Sequence, residues 1–258
     1  MQAHIVLAHP EPRSYNANLV AVARRSLEAL GWSVSVSDLY AMGFDPCERA
    51  EHYVERQQPG RFDVQAEQRH ASTQGRMPPI VAAEIELLDR AELLILQYPM
   101  WWHLPPAMLK GWFDRVLIFG EVYASQKRFE KGRFLGKRAM LSVTVGTSAE
   151  TYGFDGRSGD IDLLLWPVNF TLAFVGYSVL RPFVAYGVEA GLRYSEASVM
   201  EARLRQVEQD LDATLRALDQ RPVIPFNRMA EWGADGRIAA EAEVHSPFIR
   251  RKQHLDLK

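Results

Sequence analysis

Residues 93–116 read LLILQYPMWWHLPPAMLKGWFDRV, and the change of period inside this stretch decides the fold. Leu93 to Tyr98 is apolar almost throughout, as a strand covered on both faces is. Pro99 to Pro106 breaks the run. Met108, Leu109, Trp112, Phe113 and Val116 then recur at helical spacing. A fully buried strand followed directly by a helix is the repeating unit of a parallel sheet with helices on both faces.

The same unit occurs on either side. His4 to Ala8 (HIVLA) is a short apolar strand ended by His9-Pro10, and Leu19, Val20, Ala23, Leu27 and Leu30 follow at helical spacing up to Gly31. Ser33 to Asp38 alternates Val34 and Val36 with polar residues, as a strand near a sheet edge does. Residues 40 to 78 are irregular and polar, with Pro46, Pro59, Gly60, Gly75 and Pro78, and read as a long loop of the kind that is functional or partly mobile. Ile80, Val81, Glu84, Leu87, Leu88 and Ala91 mark the next helix. Arg138 to Val145 is a fourth strand. Ile161 to Val175 is an apolar helix in which Pro167 predicts a kink or a break. Tyr177 to Ala185 is a fifth strand containing a disruptive Pro182, and Val199 to Leu218 is a last amphipathic helix. Five strands alternating with helices predict an α/β, doubly wound, five-stranded parallel sheet with right-handed connections. Residues 1–218 read as one domain and 219–258 as a C-terminal tail. The tail's Val223, Ile224, Phe226, Met229, Trp232 and Phe248 need a surface to cover, and a partner subunit is the expected one.

Composition narrows the function. Of the 258 residues, 47% are hydrophobic and 24% charged, and the net charge is -2, which excludes the basic footprint of a nucleic-acid binder. Cys47 is the only cysteine, so redox chemistry needs a bound cofactor rather than a Cys-x-x-Cys pair or a cysteine-held metal. No apolar stretch is long enough to span a bilayer, and Met1-Gln2-Ala3 runs directly into an apolar run. The expectation is a cytoplasmic protein.

Ligands of a sheet with strand order 2-1-3-4-5 bind at the carboxyl ends of the strands, where the order reverses. The loops there are chemically unusual. After the first strand comes His9-Pro10-Glu11-Pro12-Arg13-Ser14-Tyr15-Asn16, which opens a helix. Backbone N–H groups at a helix start hold phosphates, and Arg13 adds positive charge. A capped helix with a solvent-facing arginine would read the same way. After the third strand, Trp101, Trp102 and His103 offer flat rings for stacking, stiffened by Pro105-Pro106. A satellite core beneath the adjoining helices is the other reading. After the fourth strand, Gly146 permits close backbone approach, and Thr144, Thr147 and Ser148 supply hydroxyls.

These segments resemble the NAD(P)H:quinone oxidoreductases of the DT-diaphorase type. The resemblance is carried by IVLAHPEPRSYN at 5–16, SDLYAMGFDP at 37–46, LQYPMWWHLPPAMLKGWFDRV at 96–116, GKRAMLSVTVGTS at 136–148 and SGDIDLLLWPV at 158–168. It implies a flavodoxin-like fold, a homodimer, and a flavin, with FAD the first choice and FMN the second. It also implies ping-pong hydride transfer from NADH or NADPH to a quinone. Azo, nitroaromatic or free-flavin acceptors are alternatives, as is a role as an ancillary subunit of a membrane transporter. By this resemblance His9, Arg13, Tyr15, Asn16 and Asn18 lie on the cofactor's diphosphate and nucleotide side. Pro99, Met100, Trp101, Trp102 and His103 lie along the isoalloxazine. Thr144, Val145, Gly146, Thr147 and Tyr152 border its polar edge, and Tyr123 reaches the acceptor pocket across the dimer. Tyr152, Trp102, His103 and Tyr123 form the expected catalytic set. Three departures stand out. Ser158, beside Arg157, occupies the position of the histidine that pairs with the active-site tyrosine. His103 replaces a phenylalanine, and Asp63 replaces a cofactor-contacting glutamine.

Overall fold

The computed structural model describes residues 1–189, 191 and 195–251. Its strands are β1 (Gln2–Leu7), β2 (Ser33–Asp38), β3 (Leu93–Pro99), β4 (Arg138–Thr144), β5 (Ser178–Val179) and β6 (Phe183–Ala185). Its helices are α1 (Tyr15–Ala29), α2 (Val64–Thr73), α3 (Pro79–Arg90), α4 (Ala107–Val116), α5 (Ile161–Phe174) and α6 (Ala197–Arg216). The strands pair in parallel in the order β2-β1-β3-β4-β5, with β6 also on β4. The sheet has the flavodoxin-like order read from the sequence.

The period of two along each strand sorts side chains between two cores. Ala3, Ile5, Leu93, Ile95 and Met140 pack with α1 and α6 residues such as Leu19, Leu27 and Leu211. Val6, Leu94, Leu96, Leu141 and Val143 pack with Leu88, Trp112, Val168 and Leu172 of α3, α4 and α5. All seven residues of β3 are buried, which is why that stretch shows no polar alternation.

The fold departs from the sequence reading in three places. The fifth strand is two short ones interrupted at Pro182, which has no N–H to give the ladder. The tail repairs this edge: Arg181 N donates to Pro222 O at 2.8 Å, and Ile224 N donates to Val179 O at 2.8 Å. Beyond that pairing, Phe226 and Phe248 lie 5.1 and 5.3 Å from Trp166 of α5, so the tail covers its own chain's helix. The last seven residues of the tail, 252–258, lie outside the described residues. Second, α5 runs through Pro167 without a break, because Leu165, Val168 and Leu172 anchor both halves in the core. Third, the long polar stretch contains α2, whose inward face is polar. Glu67 accepts from Gln57 N (2.8 Å) and Gln58 N (3.1 Å), and Gln68 donates to Glu48 and to Asp114 O, both at 3.2 Å.

Glu84 of α3 is 2% exposed. It accepts from Ser37 Oγ at 2.6 Å and from Trp112 Nε1 at 2.8 Å, with His4 Nε2 at 3.8 Å. Burial raises its carboxyl pKa, but the adjacent His4 ring and the Ser37 and Trp112 donors outweigh burial and hold it below the ordinary value. A depressed folded pKa contributes stability above the unfolded value, about 4.3, that is lost as pH falls through the lower folded value. Glu84→Gln is expected to cost roughly 1–3 kcal/mol at pH 7 and to flatten the acid limb of the stability curve. Urea melts from pH 7 to 3 check this. Parallel curves for the two proteins would assign the acid loss to other groups.

Candidate active site

The carboxyl ends of β1, β3 and β4 carry the three unusual loops to one edge of the sheet. In the first, Ser14 caps α1 and its side chain accepts from Ala17 N at 3.2 Å. The backbone N–H groups of Tyr15 and Asn16 find no acceptor among the described residues. They are unused donors at the positive end of a 15-residue helix. His9 Nδ1 accepts from Glu11 N at 3.1 Å, and its ring stands edge-on to Trp101, 6.0 Å away. Arg13 is exposed, with Nε 3.3 Å from Glu11.

Several side chains of this loop turn inward instead. Tyr15 donates to Leu204 O of α6 at 2.6 Å, and burial, with Glu208 second, pushes its phenol pKa up. Asn18 donates to Glu208 at 2.6 Å. Asn16 is buried and bonds to Thr144 and Gln97.

The second loop is a two-residue hairpin. Trp101 N donates to Leu104 O at 2.9 Å and Leu104 N returns the bond to Trp101 O at 3.0 Å. Between them Trp102 has φ 51° and His103 φ 64°. Two successive positive φ values make a mirror-image turn that normally takes Asn or Gly. A tryptophan and a histidine held there carry backbone strain, the kind that collects at ligand clamps. The turn leaves the N–H groups of both residues without an acceptor among the described residues. It also presents the Trp102 side chain at 93% exposure, with Trp101 at 41%. Met100 N ties the base of the hairpin to Thr144 O at 3.0 Å, and Pro99 is the last, buried residue of β3.

The third loop is anchored by Val145 N to Ala185 O at 2.9 Å, while Thr147 and Thr151 hydroxyls share a bond of 2.7 Å. A Cβ on Gly146 would meet only Val188 O at 3.9 Å, so the space above it is open. Tyr152 ends a 3-10 turn and lies 6.0 Å from the Tyr186 ring. Burial, then Asp162 and Tyr152, raise the Tyr186 pKa. Ser158 N donates to Thr151 O at 2.9 Å, closing the loop on itself. Asp63 caps α2 through Ala66 N at 3.1 Å.

Tyr123 stands apart from these loops. It accepts from Gln65 Nε2 at 3.3 Å, packs on Phe119 and Phe174, and lines a groove of about 870 Å³. That groove also takes in Leu104, Pro105, Phe113 and Pro167, so it begins at the foot of the tryptophan hairpin. Sequence reasoning missed Gln97, hidden inside an apolar strand, and Phe154, 90% exposed on the third loop.

Comparison with known proteins agrees with this architecture. The profile of a family described as having a flavodoxin-like fold matches residues 1–211. The chain is 40% identical over 189 residues to NAD(P)H dehydrogenase [quinone] 1 of Cavia porcellus, covering 72% of this chain and 69% of that one. It is 38% identical over 204 residues to ribosyldihydronicotinamide dehydrogenase [quinone] of Mus musculus, covering 78% and 88%. A solved structure from Klebsiella pneumoniae, of a protein assigned as a quinone reductase, superposes with a TM-score of 0.82 at 34% identity, covering 90% of this chain and 91% of that one.

Proposed function

This chain belongs to the flavodoxin-like family, and from that premise we propose that it is a flavin-dependent NAD(P)H:quinone oxidoreductase working by two alternating half-reactions. The observation that carries the proposal is the strained Trp101–Leu104 hairpin, with two free N–H donors and an exposed indole at the sheet's ligand-facing end. A bound flavin, FAD in the first instance and FMN in the second, supplies the hydride-carrying ring. The protein binds, orients and polarises it.

The residues present fit such a group. The N–H groups of Tyr15 and Asn16 face the phosphate end. Trp102 offers a ring face, and the Trp102 and His103 N–H groups, unpaired among the described residues, would supply donors to the ring's nitrogen and oxygen atoms. Gly146 and Tyr152 of the third loop would supply donors that stabilise developing negative charge. Stacking geometry is the main contribution of the site, because hydride transfer demands reacting atoms about 3–3.5 Å apart. The apolar groove reads as the face of a homodimer, with Tyr123 of one subunit closing the acceptor pocket of the other.

The test is direct. The purified protein is expected to be yellow, to release FAD on denaturation, to be reduced by NADH or NADPH, and to be reoxidised by a quinone. Ribosyl dihydronicotinamide is the donor to compare, because it stands in the name of one relative. Light scattering of the same sample reads the dimer. A colourless protein that ignores added FAD and FMN overturns the proposal.

Protons are handled differently here, because Ser158 stands where the familiar histidine does. Tyr152 offers a hydroxyl as a hydrogen-bond donor, and His103 an imidazole that can both give and take a proton. Tyr152→Phe is expected to slow flavin reduction modestly. His103→Phe is expected to slow the acceptor half-reaction. Separate stopped-flow traces of the two half-reactions check this. An unchanged acceptor step in His103→Phe would leave bulk water as the proton source.

A further inference from the structure

We infer that Gln97, Asn16 and Thr144 form a buried brace across the sheet that sets the phosphate-binding start of α1, which makes Gln97 a positioning residue for the flavin phosphate. The inference rests on the flavin reading above and adds to it a residue that no loop contains.

All three side chains are buried: Gln97 is 1% exposed, Asn16 4% and Thr144 4%. Gln97 Nε2 donates to Asn16 Oδ1 at 2.8 Å, and Asn16 Nδ2 donates to Thr144 Oγ1 at 3.1 Å. The partners come from β3, from the first turn of α1 and from the end of β4. The chain of bonds therefore ties the helix that follows the first loop to the ends of the two strands from which the other loops emerge. Thr144 Oγ1 also lies 3.4 Å from Asn16 Oδ1, so the hydroxyl meets both ends of that amide. Backbone bonds reinforce the same crossing: Ala8 N donates to Gln97 O at 3.1 Å.

Asn16 is the link between brace and ligand. Its side chain faces down into the sheet, while its backbone N–H is one of the two unused donors at the helix start. Whatever holds the side chain also aims that N–H. The ring platform does not depend on it. The hairpin is closed by its own Trp101–Leu104 pair and held by Met100 N to Thr144 O, all backbone bonds. Cutting the brace at Gln97 thus disturbs the phosphate end and spares the ring end.

The two ends are separated by comparing FMN with riboflavin, which has the same ring and no phosphate. The intact chain, freed of bound flavin, is titrated with each and binding is read by fluorescence quenching, with the flavin-free melt recorded in parallel. The wild-type chain is expected to bind FMN more tightly than riboflavin. Gln97→Met keeps the length and removes the donor. It is expected to weaken FMN binding about tenfold and to leave riboflavin binding unchanged. Gln97→Asn keeps the amide but withdraws it from Asn16, and is expected to do the same, which covers a failure of the methionine variant to fold. Equal losses for both ligands, or no loss for either in a folded variant, overturn the brace and make Gln97 a packing residue. A wild-type chain that binds neither flavin overturns the parent reading and the brace with it.

Discussion

Gly111→Ala is expected to destabilise the chain by about 3 kcal/mol, lowering its melting temperature by roughly 6–12 °C. Gly111 lies in the interior of α4, where alanine would ordinarily be the better helix former. Here a Cβ would sit 2.1 Å from Pro46 O, 2.4 Å from Pro46 Cβ and 2.5 Å from Pro46 Cα. Those are mainly backbone atoms, which no side-chain rotamer relieves. Helix propensity favours the variant by about 1 kcal/mol and the clash opposes it by several times that, so the clash wins. The loop that must yield is fixed from a second side: Arg115 donates to Asp45 O at 2.6 Å and lies over the Phe44 ring. The loop continues to Glu48, which lines the apolar groove, so the variant is also expected to raise KM for the acceptor. A melt within 1 °C of wild type would show that the loop moves freely on α4.

Trp102→Ala is expected to do the opposite: flavin affinity falls about tenfold to a hundredfold while the flavin-free melt stays put. At 93% exposure the indole contributes almost nothing to the apo core, so its truncation belongs with surface substitutions, within about 0.5 kcal/mol. A buried tryptophan would instead cost roughly 3–5 kcal/mol. Stacking of an aromatic face on a flat ring contributes about 1–3 kcal/mol, which sets the size of the affinity loss. The backbone does not contribute to the loss, because alanine relaxes the φ of 51° no better than tryptophan and leaves the donors in place. Flavin titration with differential scanning of the apo protein reads both quantities. A large drop in the apo melt with unchanged flavin binding would make Trp102 a packing residue.

How far the site was legible depended on where each residue's partner lies in the chain. Trp101, Trp102 and His103 were visible because large rings are conspicuous in a proline-rich connector. The sequence left open whether they pack or face a ligand. Trp102 is exposed rather than packed, and the positive φ pair explains why. Asn16 was legible as a helix-start residue, but not as one whose amide turns inward to Gln97 and Thr144. Its partners lie 81 and 128 residues away, and such bonds leave no period in the sequence. Gln97 was hidden for the same reason, as a single polar residue in an apolar run.

By itself the sequence determined the alternating strands and helices of a parallel α/β sheet, and its motifs, through their family resemblance, implied the strand order and so the edge on which the unusual loops gather. Apolar burial has a period, two for strands and 3.6 for helices, and that period is written locally. Tertiary structure alone decided the rest. It made α2 a helix with a polar inner face, whose buried Glu67 and Gln68 are satisfied by distant groups. It carried α5 through Pro167, and it divided the fifth strand and sealed that edge with Pro222 to Ile224. It laid Phe226 and Phe248 on Trp166. Most of these rest on a hydrogen bond, ring contact or core packing between separate segments, and only the folded molecule brings such segments within reach.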